Sequence, residues 1–119
     1  MTEGMIGSEE DAVDIETRDG VTFVKVDKNQ LRGKSSQQLF EKLLGLTATA
    51  LVLDLSHASL VDSIGLGVLV KLAKNQKARE SRFAVCGMTP QVRTTFTQLH
   101  LHKVIPVFQD AEHARKGLN

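Results

Sequence analysis

The sequence predicts an α/β domain: a mixed, mostly parallel sheet of about five strands, in the order β-β-α-β-α-β-α-β-α, covered by helices. Three observations carry this expectation. Asp19-Gly20 lies between two segments of apolar alternation, which marks a hairpin. Beyond it, short apolar runs alternate with segments whose apolar residues recur every three or four positions, the pattern of strands and covering helices. The run Leu51-Val52-Leu53-Asp54-Leu55 is apolar enough for a central strand buried on both faces.

The elements follow in order. Residues 1–11 carry two glycines and several acids with little apolar periodicity, and read as a disordered lead-in. Residues 12–119 read as a single domain. Val13 and Ile15 alternate with polar neighbours in a first strand, and Val21 to Val26 form a second, largely buried one. Asp27–Lys34 is a polar loop. Ser35 or Ser36 can cap the next helix, with Gln38 placed to reciprocate at Ser35. Leu39, Phe40, Leu43 and Leu44 make its apolar stripe, and Gly45 lies where it should end. After the central strand, a helix from about Ile64 to Arg79 gathers Gly65, Val68, Leu69, Leu72, Ala73 and Gln76 on one face. Arg82 to Gly87 is another strand. Thr89 and Pro90 are a cap and first turn, with Val92, Phe96 and Leu99 as the stripe that follows. Val104–Phe108 reads as a last strand. Asp110 can cap a helix over Ala111–Lys116, stopped by Gly117.

Composition narrows the function. The 15 basic and 14 acidic residues of this 119-residue chain leave a net charge of +1, which speaks against a nucleic-acid or acidic-membrane surface. The five aromatic residues are all Phe, so the core must be aliphatic. The single Cys86 has no internal disulfide partner, which fits a reducing compartment, and the acidic start lacks the features of a signal peptide. A cytoplasmic protein is expected. One Cys and scattered His give no metal-ligand spacing, and no motif asks for a cofactor.

The most informative segment runs from Asp54 through Ser56 to Asp62-Ser63-Ile64-Gly65-Leu66-Gly67. It is a buried strand, a loop and a helix start, and sites in open α/β sheets gather at the carboxyl ends of strands. Asp62 and Ser63 are both good N-cap types. Gly65 and Gly67 each cost a helix about 0.5–1 kcal/mol relative to Ala. Their presence in the first turns points either to tight internal packing or to close approach of something outside.

The pattern L-D-L-S-x-x-x-x-x-D-S-x-G-L-G-x-L, from Leu53 to Leu69, resembles the anti-sigma factor antagonists of the STAS family (sulfate transporter and anti-sigma factor antagonist). The resemblance extends from about Val13 to Ala114. It implies a STAS-like fold and a protein-interaction switch rather than an enzyme. Ser63 takes the place of the family's phosphorylated serine. The resemblance implies a partner that is both serine kinase and anti-sigma factor, bound by the unphosphorylated form so that a sigma factor is released. It also implies a metal-dependent serine phosphatase that resets Ser63. The partner surface would comprise Asp62, Ser63, Ile64, Gly65, Leu66, Gly67 and Val70, with Asn29, Leu31 and Arg32 from the preceding loop. Asp54 and Ser56 would hold the turn. Two departures stand out. Ile64 occupies a place where a second Ser or Thr is common, and Asn29-Gln30-Leu31-Arg32 stands where Gly-x-Leu-Asp is usual, so a base replaces an acid.

A phosphate on Ser63 would add about −1.5 to −2 charge at pH 7. The helix dipole favours it by roughly 0.3–1 kcal/mol, and Asp62 opposes it. These terms are similar in size, so the switch is expected to act at the interface and not by unfolding. Leu66 and Val70 lie at the edge of the apolar face, as second-layer core or as an exposed patch beside Ser63. A hydrolase would need a glycine where Val61 stands, and the four His lack an evident acid partner. A receiver domain would use Asp54 as acceptor, but its other acids and its Lys before Pro are missing. The remaining alternative is a scaffold or sensor STAS module in another signalling complex, with Ser63 never phosphorylated. A monomer is expected.

Overall fold

The computed structural model describes residues 13–26, 31–46, 48–58 and 60–118. The expected lead-in, residues 1–11, and the first part of the Asp27–Lys34 loop lie outside them. The hairpin comes first: β1 (Val13–Arg18) pairs antiparallel with β2 (Val21–Val26), Ile15 opposite Val24. Asp19 (φ 53°) and Gly20 (φ 80°) both adopt left-handed backbone, as a two-residue turn that matches strand twist requires. Helix α1 (Lys34–Leu44) then leads to β3 (Ala50–Asp54), α2 (Ser63–Ala78) to β4 (Arg82–Cys86), and α3 (Pro90–Gln98) to β5 (Val107–Phe108); α4 (Ala111–Leu118) follows. The expected order of elements is the observed one.

The strands lie in the sheet in chain order, β1 to β5, and every pair after the hairpin is parallel. Each crossover therefore steps the same way across the sheet. Right-handed crossovers then place α1, α2 and α3 on one face, and α4 returns to the other. The two cores follow from strand alternation. Val24, Val26, Leu51, Leu53 and Val85 meet Leu39, Leu43, Val68, Leu69, Leu72 and Phe96 on the three-helix face. Val21, Phe23, Val52, Ala84 and Cys86 meet Ala114 and Leu118 on the α4 face.

Gln76 explains itself in this setting. It is buried on the inner face of α2, and its Nε2 donates to the Arg82 carbonyl at 3.0 Å, which ties the end of α2 to the start of β4. Thr89 caps α3 through the Val92 amide, as expected. Asp54 Oδ1 accepts from the Ser56 amide at 2.9 Å, which closes the turn after the central strand.

Four expectations are corrected. Neither Ser35 nor Ser36 caps α1: Gly33 occupies that position at φ 53°, and Ser36 is buried inside the first turn. Leu99 leaves the α3 stripe because the helix ends at Gln98, and it is exposed. The last strand is only Val107–Phe108, since Leu101–Lys103 form a short 3₁₀ turn and Val104 is exposed. Gly117 does not stop α4 but lies within it, at a place where a Cβ would overlap the Phe108 ring. Gly117→Ala should therefore lose stability although alanine favours helix. The propensity gain is about 1 kcal/mol, overpacking costs about 1–3 kcal/mol, and urea denaturation should show a net loss of about 1 kcal/mol.

Candidate functional site

The loops after β2 and β3, neighbouring parallel strands, converge on one carboxylate. Asp62 is the N-cap of α2: Oδ1 accepts from the Gly65 amide at 2.8 Å. Its Oδ2 accepts from the Gly33 amide, also at 2.8 Å, at the start of α1. The Asp62 amide donates to the Leu31 carbonyl at 3.3 Å. One side chain thus holds two helix starts, and the 31–33 segment lies against the 62–65 turn. The amides of Gly65 and then Gly33 hold the Asp62 carboxyl below the usual aspartate value, and the Arg32 charge adds to this. Asp62 is a structural anion, charged at neutral pH and occupied on both oxygens.

The same geometry separates the two glycines. Gly65 is buried against the loop: a Cβ would overlap the Leu31 carbonyl oxygen and meet Val61 Cγ1 at 3.0 Å. Tight internal packing accounts for it, with the preceding loop as the neighbour. Gly67 is exposed, with nothing within 4 Å of its added Cβ. No contact among the described residues explains that glycine.

Ser63 is the first residue of α2 and is exposed, and its hydroxyl makes no hydrogen bond among the described residues. At the helical turn of 100° per residue, Gly67 and Val70 share its face. Ile64, beside it, is 44% exposed, and Leu60, which the sequence did not single out, is 43% exposed. Leu66 and Val70 are half-buried, Leu66 packing against the main core. Leu66 thus serves the core in part and the surface in part. With Leu60, Val61, Val92, Gln91 and Thr95 it lines a shallow cleft between the turn and α3. Exposed apolar residues next to a capped turn are the signal that could have found Leu60.

Not every expected partner residue reaches this surface. Leu31 is 0% exposed: its side chain belongs to the core, and only its backbone serves the turn. It is corrected from a surface contact to a support. Gly65 is likewise covered. Arg32 is exposed at the edge of the turn. Asn29 lies outside the described residues. Ser56 is exposed, whereas Asp54 points to the α4 face, beside Lys25 and Ala111, and not towards the helix that carries Ser63. One histidine does have an acid partner: His113 Nδ1 lies 2.7 Å from Asp110 Oδ1, which also caps α4 through the His113 amide. That amide is the first cause of a lowered Asp110 carboxyl. The pair lies within a single helix turn, as a cap.

The STAS domain family matches residues 12–114 of this chain. The chain belongs to the STAS domain family. Its fold is also that of several solved structures. An anti-sigma factor antagonist from Mycobacterium paratuberculosis is 24% identical, with a TM-score of 0.71 over 89% of this chain and 92% of that one. The Bacillus cell-fate determinant SpoIIAA, solved in its phosphorylated form, is 16% identical, with a TM-score of 0.69 over 90% and 99%. A sulfate transporter family protein from Wolinella succinogenes is 12% identical and has a TM-score of 0.75 over 87% and 88%. At these identities the likeness is one of fold. A STAS fold serves both settings, so what this STAS domain does must be read from its own turn. No helix among the described residues is long and apolar enough to cross a membrane.

Proposed function

We propose that this STAS domain is an anti-sigma factor antagonist, a cytoplasmic, monomeric, non-enzymatic switch whose phosphate acceptor is Ser63. The observation that carries the reading is the presentation of Ser63. Its hydroxyl is exposed, and unengaged among the described residues, at the first position of α2, on backbone that Asp62 locks from both sides. A protein kinase needs such a hydroxyl, exposed and reachable. The surface around it fits a protein partner: Leu60 and Ile64 are exposed, Leu66 and Val70 half-exposed, and Gly67 leaves room for close approach. Family membership, likeness of fold to an anti-sigma factor antagonist and likeness to a protein solved in its phosphorylated form support the same reading.

In this scheme the unphosphorylated turn binds a serine kinase that is also an anti-sigma factor, and a sigma factor is released. The kinase transfers the terminal phosphoryl group of ATP to Ser63 Oγ: the bond from the terminal phosphorus to the bridging oxygen breaks, ADP leaves, and the serine proton goes to a base of the kinase. The added charge and bulk end the complex, and a metal-dependent phosphatase hydrolyses the phosphate to restore the serine. Ile64 leaves Ser63 as the single hydroxyl of the turn.

Incubation with the anti-sigma kinase of the same genome, ATP and Mg²⁺ should add one phosphoryl group. Peptide mapping should place it on Ser63, and Ser63→Ala should remain unmodified. Ser63→Asp should lose kinase binding yet unfold within about 0.5 kcal/mol of the parent, as exposed substitutions do. A large drop in thermal midpoint, or loss of helix over 64–78, would contradict a switch that acts at the interface. A scaffold or sensor role is favoured by one observation, the exposed Arg32 where the family usually has an acid. It predicts no phosphorylation and binding indifferent to Ser63→Asp.

A further inference from the structure

Arg32 occupies a constrained place. The residue before it gives its carbonyl to the Asp62 amide at 3.3 Å, and the residue after it gives its amide to Asp62 Oδ2 at 2.8 Å. Its own carbonyl accepts from the Ser35 amide at 3.2 Å as α1 begins. The backbone of Arg32 is therefore pinned on both sides against the residue that precedes Ser63. Its side chain is exposed and forms no ion pair or hydrogen bond among the described residues. Asp62, the acid beside it, has both oxygens occupied by backbone amides.

We propose that Arg32 is the receiver of a phosphate on Ser63, so that the phosphorylated domain carries an internal arginine–phosphate pair across its two loops. This rests on the reading of Ser63 as an acceptor and extends it to how the phosphate is held. A guanidinium matches phosphate with parallel donors, and a phosphoserine offers three acceptor oxygens. The Arg32 charge already acts on Asp62, one residue away. The consequence for the switch is an exchange. Without phosphate, Arg32 is a cation on the docking surface, available to an acidic group of the partner. With phosphate, the surface gains an anion and loses that cation together. A partner that docks through an acid would then be released more completely than by the phosphate alone.

Among the described residues of these segments the other titratable groups are Lys34 in the first turn of α1 and His57 in the loop before α2, both exposed; Asp27 and Lys28 of the same loop lie outside the described residues. The test is a phosphorus NMR titration of the full chain with phosphoserine placed at position 63 by recoded translation. His57→Gln is present throughout, so that no imidazole of the described parts of these loops contributes to the curve. No kinase enters this experiment. Failure to find one would count against the proposed function and leave the titration unaffected. An opposite charge within a few ångströms favours the dianion. Arg32→Gln should therefore raise the second phosphate pKa by about half a pH unit or more at low salt. Arg32→Lys should recover part of the difference, because a point charge lacks the fork. Lys77→Gln, in the last turn of the same helix roughly 20 Å away, should change little. Coincident curves for the parent and Arg32→Gln, or an equal effect from Lys77→Gln, would overturn the proposal.

Discussion

Gly65→Ala is expected to destabilise the domain by about 3 kcal/mol, the upper part of the range for an inserted methyl group. The reason is what the methyl would meet. The overlapping atom is the Leu31 carbonyl oxygen, part of the backbone, which cannot turn aside as a side chain can. That carbonyl is also the acceptor for the Asp62 amide. Moving it would weaken the contact between the loops that holds the Ser63 turn. The loss should appear as a lower urea midpoint with an unchanged slope. Gly67→Ala is the matched control, since nothing lies within 4 Å of its added Cβ and alanine favours helix. It should leave stability equal or slightly raised. Near-equal losses at the two positions would show that the contact with Leu31 is not what requires glycine at 65.

Asp62→Ala carries the second large effect. It removes an N-cap bond, which costs about 1 kcal/mol. It also leaves the Gly33 amide without its charged acceptor, for roughly another 1–2 kcal/mol. Asp62→Asn should fall between the parent and Asp62→Ala. Its amide oxygen can still cap the Gly65 amide, but its NH₂ group would face the Gly33 amide donor to donor. The pH dependence follows from the lowered carboxyl. The folded protein keeps Asp62 charged where the unfolded chain, near the ordinary value of 3.8, already takes up a proton. The stabilisation is thus fully present above about 3.8 and is lost as pH falls through the lowered folded value. The stability gap between the parent and Asp62→Asn should be flat at neutral pH and close only in acid, measured by urea denaturation at stepped pH.

Features set by neighbours along the chain were legible in the sequence. The Leu51–Leu55 run, the buried face of α2 with Gln76 in it, the Thr89-Pro90 start of α3 and the Asp19-Gly20 turn all depend on residues within a helical turn or a hairpin. Asp62 as cap and Asp54 as holder of its turn belong with them, since each bonds an amide two or three residues away. What was missed depends on distant partners. The start of α1 was assigned to Ser35 or Ser36, whereas the acceptor for the Gly33 amide is Asp62, 29 residues along. Leu31 looked like a surface residue of a polar loop, but the return of α2 covers it. Gly117 looked like a stop until Phe108 was seen to take the space beside it. Ile64, Leu66 and Val70 could be named from the pattern around Ser63, while Leu60 becomes visible only when the turn is folded against α3.

The unequal cover of the sheet has a practical consequence. Three helices shield one face, while the other depends on α4, whose buried side chains are Ala114 and Leu118. Beneath α4 lies Cys86, the single thiol of the chain, wholly buried, its pKa pushed up to about 12, first of all by that burial. A thiol reagent meets it only when the cover opens. The rate of labelling therefore times the opening of this face, in the native protein and without an added probe. The Ser63 turn belongs to the opposite face, so the same clock reports whether an event at Ser63 is felt across the sheet.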